Sequence, residues 1–255
     1  CLLRRCPTRS LTIVGDAGQT RAPGATGSWR ASLDRVLGAE SWRIEELTIN
    51  YRTPAAVVAA AQELARSAGL PVGRDTAARD VPNSLMDCPA DDPVAEAVAL
   101  ARRRLPRGET GRVALIAAGS ALAAVRAAIA GGDLASKVAR PRQDPLDFPL
   151  AVLDAAEVKG LEFDEVIIVD PAAVAGGVVA AAGGAAAGGA AAGGAVAGGA
   201  VAGGAAAESA WPISELDRRA GAADLYVAMT RPTRRLWLVR PRNDGSTPPE
   251  PTGRS

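Results

Sequence analysis

Short apolar runs rich in β-branched residues alternate along this chain with segments of helical periodicity. The runs are bounded by glycine, proline or polar residues, which is typical of buried strands. The predicted strands are 10–14, 45–49, 112–117, 150–153, 165–169 and 236–239, and the predicted helices are 29–37, 54–69, 93–105, 120–130 and 214–230. Strands that alternate with helices predict an α/β fold with a parallel sheet and right-handed crossovers.

The composition argues against several classes of function but does not identify one. Of the residues, 48% are hydrophobic but only 3% are aromatic, so we expect a core of valine, leucine and isoleucine. The formal net charge of +1 argues against a bulk field for nucleic acid or an anionic membrane. Three cysteines without a CxxC pair, and no histidine, argue against a zinc site and favour a reducing, cytoplasmic setting. We predict no metal site in this chain.

One segment, residues 172–207, contains only alanine, glycine and valine, and 183–207 is five consecutive glycine-glycine pentads. It is long enough to cross a membrane, but its glycines disfavour a helix and alanine and glycine supply little transfer energy. We therefore predict no membrane span. The segment is expected to be a flexible low-complexity insertion that joins a strand to the helix at 214.

Four short motifs carry the chemistry, and we expect each at the exit of a strand or the end of a helix, on the edge where open α/β sheets bind ligands. Two arginines suit a phosphate, because the guanidinium fork can hold two of its oxygens. An exposed tyrosine suits a stacked purine, and a glutamate beside a glycine suits a ribose hydroxyl. The motifs are Gly15–Gln19 (GDAGQ), Asn50–Thr53 (NYRT), Val158–Asp164 (VKGLEFD) and Leu225–Arg231 (LYVAMTR).

In this order the motifs resemble motifs III to VI of UvrD/Rep-type superfamily 1 helicases. The resemblance implies a RecA-like parallel sheet, the second motor domain of a P-loop helicase, over residues 46–241. It makes residues 1–45 the carboxyl-terminal remnant of the first motor domain. The tail 242–255 is rich in proline, serine and glycine and is expected to be disordered.

The resemblance also assigns residues to roles. Gln19 would sense the γ-phosphate of ATP and couple hydrolysis to movement, and Arg52 and Arg231 would act as arginine fingers. Such a protein would move along single-stranded DNA.

Three nucleotide-binding residues follow from the same resemblance. Tyr51 would stack on adenine, and Gly160 and Glu162 would meet the ribose and phosphates. Trp29 is a candidate for stacking on a nucleobase, and the alternative for this residue is a place in the core.

Two departures from the UvrD/Rep pattern favour the HelD-type branch, whose members work on RNA polymerase. Ala156 stands where a histidine usually precedes the lysine of motif V, and the loop between Gln19 and Trp29 is longer than in UvrD/Rep proteins. RNA polymerase is therefore an alternative partner.

The sequence contains no Gly-Lys-Ser/Thr phosphate loop (Walker A) and no Asp-Glu magnesium motif (Walker B) before Gly15. In the resembling family both elements precede motif III, so we expect the sequence to begin just past the magnesium-binding strand. Mg²⁺ and the phosphates would then be held by an amino-terminal motor half, and this chain alone would be inactive. Three interpretations stay open, namely a helicase or translocase portion, a HelD-like polymerase-binding module, and an inactive gene fragment.

Overall fold

A computed structural model of the chain describes residues 10–16, 28–38, 41–105, 111–139, 143–176 and 215–242. The helices, in chain order, are α1 (Trp29–Leu37), α2 (Ala55–Ser67), α3 (Pro93–Arg104), α4 (Gly119–Ala130), α5 (Pro171–Val174) and α6 (Glu215–Met229). The strands are β1 (Ile49–Asn50), β2 (Thr76–Ala77), β3 (Leu85–Ala90), β4 (Val113–Ile116), β5 (Leu150–Leu153), β6 (Phe163–Val169) and β7 (Pro232–Pro241).

The main sheet has five strands in the order β3-β7-β6-β4-β5, and every neighbouring pair is parallel. A separate pair, β1 with β2, is also parallel. The predicted α/β fold with a parallel sheet is thereby confirmed, and its five-stranded all-parallel sheet is consistent with a RecA-like fold. The domain boundaries at 45/46 and 241/242 stay predictions.

Side chains of the central strands alternate between two hydrophobic cores, one on each face of the sheet. In β4, Ala114 and Ile116 join the core formed with α2 and α6, whereas Val113 and Leu115 join the core formed with α3 and α4. All four residues are at most 2% exposed. The near-continuous apolar runs of the strands follow from this burial on both faces.

Prolines and glycines set the helix ends as predicted. Pro54 precedes α2 as its N-cap, and Gly69 follows the helix with a φ of +63°. Pro93 opens α3, where the Asp92 side chain accepts a 3.0 Å hydrogen bond from the backbone N–H of Ala95. Proline fits a first turn because its missing N–H has no partner there, and glycine fits a left-handed end.

Two predicted strands near the amino terminus are wrong or much shorter. Residues 10–14 are exposed and form no strand, and of 45–49 only Ile49 is in a strand, β1. A β-branched run forms a strand only when it pairs with another strand. Among the described residues, β1 pairs only with the two residues of β2. The apolar patterns of residues 10–14 and 45–49 are typical of strands, but no full-length neighbouring strand in the described part of the chain pairs with them.

The edge strand β3 was not predicted. It contains Asp87 and Pro89, which are unfavourable in a central strand, but an edge strand tolerates a proline. Among the strands that the structure describes, β3 pairs only with β7, which starts at Pro232 and not at Leu236 as predicted.

The described start of the predicted insertion 172–207 packs against the rest of the fold. Helix α5 lies at its start, and Val174 and Ala175 are 6% and 0% exposed. The remainder of the insertion and the tail from 243 lie outside the described residues. No helix in the part of the chain that the structure describes is long and apolar enough to span a membrane.

Candidate functional site

The NYRT motif forms a tight turn that leads into α2. The side-chain oxygen of Asn50 accepts hydrogen bonds from the backbone N–H groups of Arg52 (3.1 Å) and Thr53 (2.9 Å). This Asx-type turn fixes the backbone of Arg52 immediately before the N-cap Pro54. The neighbouring Tyr51 is 69% exposed, as a ring available for stacking must be.

The KGLEFD motif is the loop that enters β6. Gly160 has a φ of +84°, a left-handed conformation that favours glycine, and no atom lies within 4 Å of the place where a Cβ would stand. Glu162 follows two residues later, and its side chain is 54% exposed. A ligand can therefore approach the backbone and the carboxylate of this loop.

The LYVAMTR motif ends α6 and enters β7. Arg231 is only 4% exposed, and its Nε donates a 3.0 Å hydrogen bond to the carbonyl oxygen of Val227. Its Nη2 donates to the Thr230 hydroxyl at 3.2 Å. The carbonyl end of a helix carries partial negative charge, which favours a guanidinium there.

The three motifs meet in one place. Arg52 forms an ion pair with Glu162, 110 residues away, and its Nη2 donates a 3.3 Å hydrogen bond to the carbonyl oxygen of Thr230. Arg231 Nη1 donates to the carbonyl oxygen of Leu161 at 3.4 Å. Each arginine thus contacts a motif other than its own, and Glu162 supplies the negative charge between them.

Strand pairing explains this meeting and corrects its expected position. Glu162 and Arg231 immediately precede β6 and β7, whose first residues Phe163 and Pro232 are paired. The backbone N–H of Phe163 donates to the carbonyl oxygen of Arg231 at 3.2 Å. Glu162 and Arg231 therefore lie at the amino ends of β6 and β7, so the expectation of the carboxyl edge is wrong for these two residues. NYRT follows β1, and LYVAMTR ends α6 next to β7, as expected.

Burial and neighbouring charge act on the ionisable groups of the site. Burial lowers the pKa of Arg231, and the charge of Arg52 lowers it further, whereas Glu162 raises it. A guanidinium stays protonated at neutral pH despite such a shift. The site therefore holds two positive charges and one carboxylate.

Tyr226, within LYVAMTR, is a core residue with an altered pKa. Burial raises the pKa of its hydroxyl to about 12, and the charges of Asp16 and Asp75 add to the effect. The charge of Asp16, in the GDAGQ motif, also raises the pKa of Arg231. Gln19, the predicted γ-phosphate sensor, lies outside the described residues.

Trp29 is half-buried in α1, and its ring lies against Gly15. A Cβ on Gly15 would stand 3.1 Å from the Cζ2 atom of this ring. The ring therefore packs on the start of the GDAGQ motif and not among Arg52, Glu162 and Arg231. Among the described residues, Trp29 belongs to neither hydrophobic core, so its alternative place in the core is not confirmed, and its contact with a nucleobase stays a prediction.

Arg79 is a site residue that sequence reasoning missed. Its Nη1 donates hydrogen bonds to the carbonyl oxygens of Arg52 (3.0 Å) and Thr233 (3.1 Å). Its own carbonyl oxygen accepts from the backbone N–H of Ala55 at 2.9 Å. Arg79 thus ties the NYRT turn to the start of β7. It lies in a polar loop among other charges, so no pattern marks it.

Within the described part of the chain, no group of three or more histidine, cysteine, aspartate or glutamate side chains could hold a metal ion. The carboxylate at the site, Glu162, is paired with Arg52. The described side chains therefore offer the partly exposed guanidinium of Arg52 beside one hydrogen-bond acceptor, Glu162, whereas the guanidinium of Arg231 is 4% exposed and hydrogen-bonded within the protein.

Comparison with known proteins leaves the family open. No family model matches the chain, and no curated protein matches it. Among solved structures, the chain is similar to the C-terminal domain of a possible DNA helicase from Lactobacillus plantarum WCFS1. The match has a TM-score of 0.38 and 18% identity and covers 75% of this chain and 88% of that chain.

Proposed function

We propose that the chain is the carboxyl-terminal portion of an ATP-dependent DNA helicase or translocase, in which Arg52 and Arg231 act as arginine fingers. One observation carries the proposal. Arg52 of NYRT, Glu162 of KGLEFD and Arg231 of LYVAMTR, distant in sequence, come together in one ion-pair and hydrogen-bond cluster. Motifs singled out for one chemistry would be expected to converge if they perform it.

The cluster suits a nucleoside triphosphate. Phosphoryl transfer needs mainly positioning and positive charge around the γ-phosphate, and two guanidinium groups can supply both. The exposed ring of Tyr51 is available to stack on adenine, and the open backbone at Gly160 allows a ribose to approach Glu162.

The remaining components of hydrolysis would come from an amino-terminal motor half. In this proposal that half supplies the phosphate loop and the residues that hold Mg²⁺, and ATP binds between the two halves. Gln19 links the γ-phosphate to movement, and Trp29 is the candidate contact to a base of single-stranded DNA. Closure of the two arginines on the nucleotide would then advance the protein along the strand.

A second function is proposed on a separate observation. Ala156 is exposed in the turn before KGLEFD, at the position where UvrD/Rep-type proteins usually have a histidine. With the long loop after Gln19, this favours a HelD-like module that binds RNA polymerase and does not unwind DNA. Retention of the chain on immobilised RNA polymerase, and its loss from the same resin without polymerase, would support this alternative.

ATP turnover tests the helicase proposal. The chain alone should hydrolyse ATP at the background rate with or without single-stranded DNA, because it brings no phosphate loop. Robust turnover by the chain alone would refute the claim that it needs another half.

Joined to a motor half with a Gly-Lys-Thr loop, the chain should support DNA-stimulated turnover. Arg52→Lys and Arg231→Lys keep the charge but lose the fork, and each should lower kcat by about 10²-fold or more, because arginine fingers contribute about 10³–10⁵-fold and lysine replaces only part of that effect. Arg103→Lys is the matched control, since Arg103 is an exposed arginine paired with Glu96 on α3. Equal rates in all three variants would remove Arg52 and Arg231 from the mechanism.

A further inference from the structure

The backbone of Arg52 is held by side chains on both sides of its Cα atom. Its N–H donates a 3.1 Å hydrogen bond to the side-chain oxygen of Asn50, and its carbonyl oxygen accepts a 3.0 Å hydrogen bond from Arg79 Nη1. The carbonyl oxygen of Arg79 in turn accepts from the backbone N–H of Ala55, the first residue of α2, at 2.9 Å. Arg79 therefore contacts the chain before and after Pro54. These contacts fix the direction in which the Arg52 side chain leaves the backbone.

The same nitrogen of Arg79 also reaches the strand that follows Arg231. Nη1 donates a second hydrogen bond, of 3.1 Å, to the carbonyl oxygen of Thr233 in β7, two residues after Arg231. β7 is fixed at this point by its neighbour, because Pro232 pairs with the first residue of β6. One donor atom thus joins the turn that carries Arg52 to the strand that follows Arg231.

The backbone that carries Arg79 is itself anchored beside the NYRT turn. Strand β2 pairs with β1, and just beyond it the N–H of Ala78 donates a 2.8 Å hydrogen bond to the carbonyl oxygen of Asn50. Just before β2, the carbonyl oxygen of Asp75 accepts a 2.8 Å hydrogen bond from Gln62 Nε2 on α2. Because its own backbone is held on both sides of β2, Arg79 can hold the turn in one position.

We propose that Arg79 is a positioning residue, which sets where the guanidinium of Arg52 stands relative to Arg231 during ATP hydrolysis. The inference rests on the proposed function, because it assumes that Arg52 acts on the γ-phosphate. Arg79 acts through the backbone of Arg52 and needs no contact with the nucleotide. It is exposed, so water can replace it at both carbonyl oxygens and its loss should cost little stability. The rate is more sensitive, because a displacement of about 1 Å can lower it by about 10²-fold.

The first measurement uses the full chain without nucleotide. The Arg52 Nε atom is buried, which shields its N–H from exchange with water, and NMR relaxation of isotope-labelled arginine reports the mobility of this group. Arg79→Met keeps most of the length of the side chain but removes its N–H donors. It should increase the mobility of the Arg52 Nε–H and leave the urea midpoint close to that of the wild type. Unchanged mobility of Arg52 would overturn the inference.

The second measurement is ATP turnover by the full chain joined to the motor half with a Gly-Lys-Thr loop. Arg79→Met should lower kcat by about tenfold to 10²-fold and change KM for ATP by no more than about twofold, because Arg52 acts in the transition state. Arg79→Lys should lose less, since both hydrogen bonds leave from one nitrogen and an ammonium group can also donate to both oxygens. Arg74→Met is the matched control, because it removes the same charge from an exposed arginine in the same connection between α2 and β3.

A double-mutant cycle separates positioning from an independent role. In the Arg52→Lys background, Arg79→Met should lower kcat clearly less than it does in the wild type, because its effect passes through Arg52. Equal fold-losses in the two backgrounds would overturn the inference. A loss of the same size in Arg74→Met would also overturn it, because the effect would then be one of net charge.

Failure of the proposed function gives a different result. If Arg52→Lys leaves kcat unchanged, Arg52 is no arginine finger, and the role of Arg79 in hydrolysis is refuted with it, even where Arg79→Met makes Arg52 mobile. If Arg52→Lys lowers kcat while Arg79→Met does not, the arginine finger stands and the positioning role of Arg79 alone is refuted.

Discussion

The amino-terminal segment, residues 10–51, and the body, residues 52–242, are built in opposite ways. Helix α1 in the segment contains no buried residue, whereas the helices and strands of the body enclose two cores. Within the described residues, the strongly exposed large hydrophobic side chains all belong to the segment. They are Leu11, Ile13, Val14, Val36, Ile44, Leu47, Ile49 and Tyr51.

This difference indicates which residues contribute most to the free energy of unfolding. The body buries its apolar side chains by itself, so its packing should dominate the free energy of unfolding. The segment has local contacts, such as the 2.8 Å hydrogen bond from Trp42 Nε1 to Asp34, and pairs with the body through the two-residue strands β1 and β2, but it leaves apolar side chains in water.

The largest effect is expected in the core of the body. Phe163 is 2% exposed at the start of β6, and Phe163→Ala should lower the free energy of unfolding by about 3–5 kcal/mol, because it removes a buried ring and leaves a cavity. Urea denaturation measures the loss. Phe148→Ala, at a half-buried phenylalanine in a loop, should cost clearly less. Equal losses would mean that the cores are not the main source of stability.

The next effect concerns a partly buried charge in the body. Glu165 on β6 accepts hydrogen bonds from Arg104 Nε (2.7 Å) and Trp237 Nε1 (2.9 Å). Glu165→Gln should lower stability at pH 7 by about 1.5–3 kcal/mol, the range for hydrogen bonds to charged groups. Asp133→Asn, which breaks an exposed pair with Arg102, should have a much smaller effect.

The effect of Glu165→Gln should depend on pH. Burial alone would raise the pKa of Glu165, but the hydrogen bonds from Arg104 and Trp237 outweigh it and lower the pKa below the ordinary value of 4.5. A carboxyl whose pKa is lower in the folded state stabilises the fold above its unfolded pKa and loses this contribution as the pH falls through the folded pKa. The stability difference between wild type and variant should therefore persist at neutral pH and shrink below about pH 4.5. A constant difference down to pH 3 would contradict the lowered pKa.

Much of the body could be predicted from the sequence because its signals are local. Pro54 and Pro93 mark helix starts, and the run at 165–169 is apolar enough to identify a strand buried on both faces. The edge strand β3 escaped prediction because Asp87 and Pro89 interrupt the pattern, and only its pairing with β7 makes it a strand. For residues 10–14 the error was the reverse. The local sequence predicted a strand, but no described strand pairs with these residues.

In the candidate site, too, the sequence predicts some features and not others. The residue types Arg52, Glu162 and Arg231 could be chosen from their motifs, whereas their mutual contacts depend on β6 and β7 being neighbours, which no local pattern reveals. Arg79 had no signal at all, because a loop arginine that binds two carbonyl oxygens looks like any other solvated charge.

A smaller loss of stability is expected at the contact between α6 and the start of the predicted insertion. Gly221 in α6 lies against the turn after α5, and a Cβ there would stand 2.6 Å from the carbonyl carbon and oxygen of Ala175. Gly221→Ala should lower stability by about 1–3 kcal/mol through overpacking. Gly131→Ala is the control, because its φ of −86° suits alanine and the nearest atom would be 3.8 Å away. Equal tolerance of both would show that the start of the insertion does not pack on α6.

The smallest change in the free energy of unfolding is expected in the amino-terminal segment. It tests directly whether the segment and the body differ in their contribution to stability. Leu47 is 82% exposed, so Leu47→Ala should change the free energy of unfolding by no more than about 0.5 kcal/mol. Leu150→Ala makes the same change at a residue that is 0% exposed, and it should cost about 2–5 kcal/mol. Urea denaturation of both variants, at two protein concentrations tenfold apart, measures the contrast. A loss at Leu47 that approaches the loss at Leu150 would mean that the segment is covered in solution, and a dependence on concentration would identify a second copy of the chain as the cover.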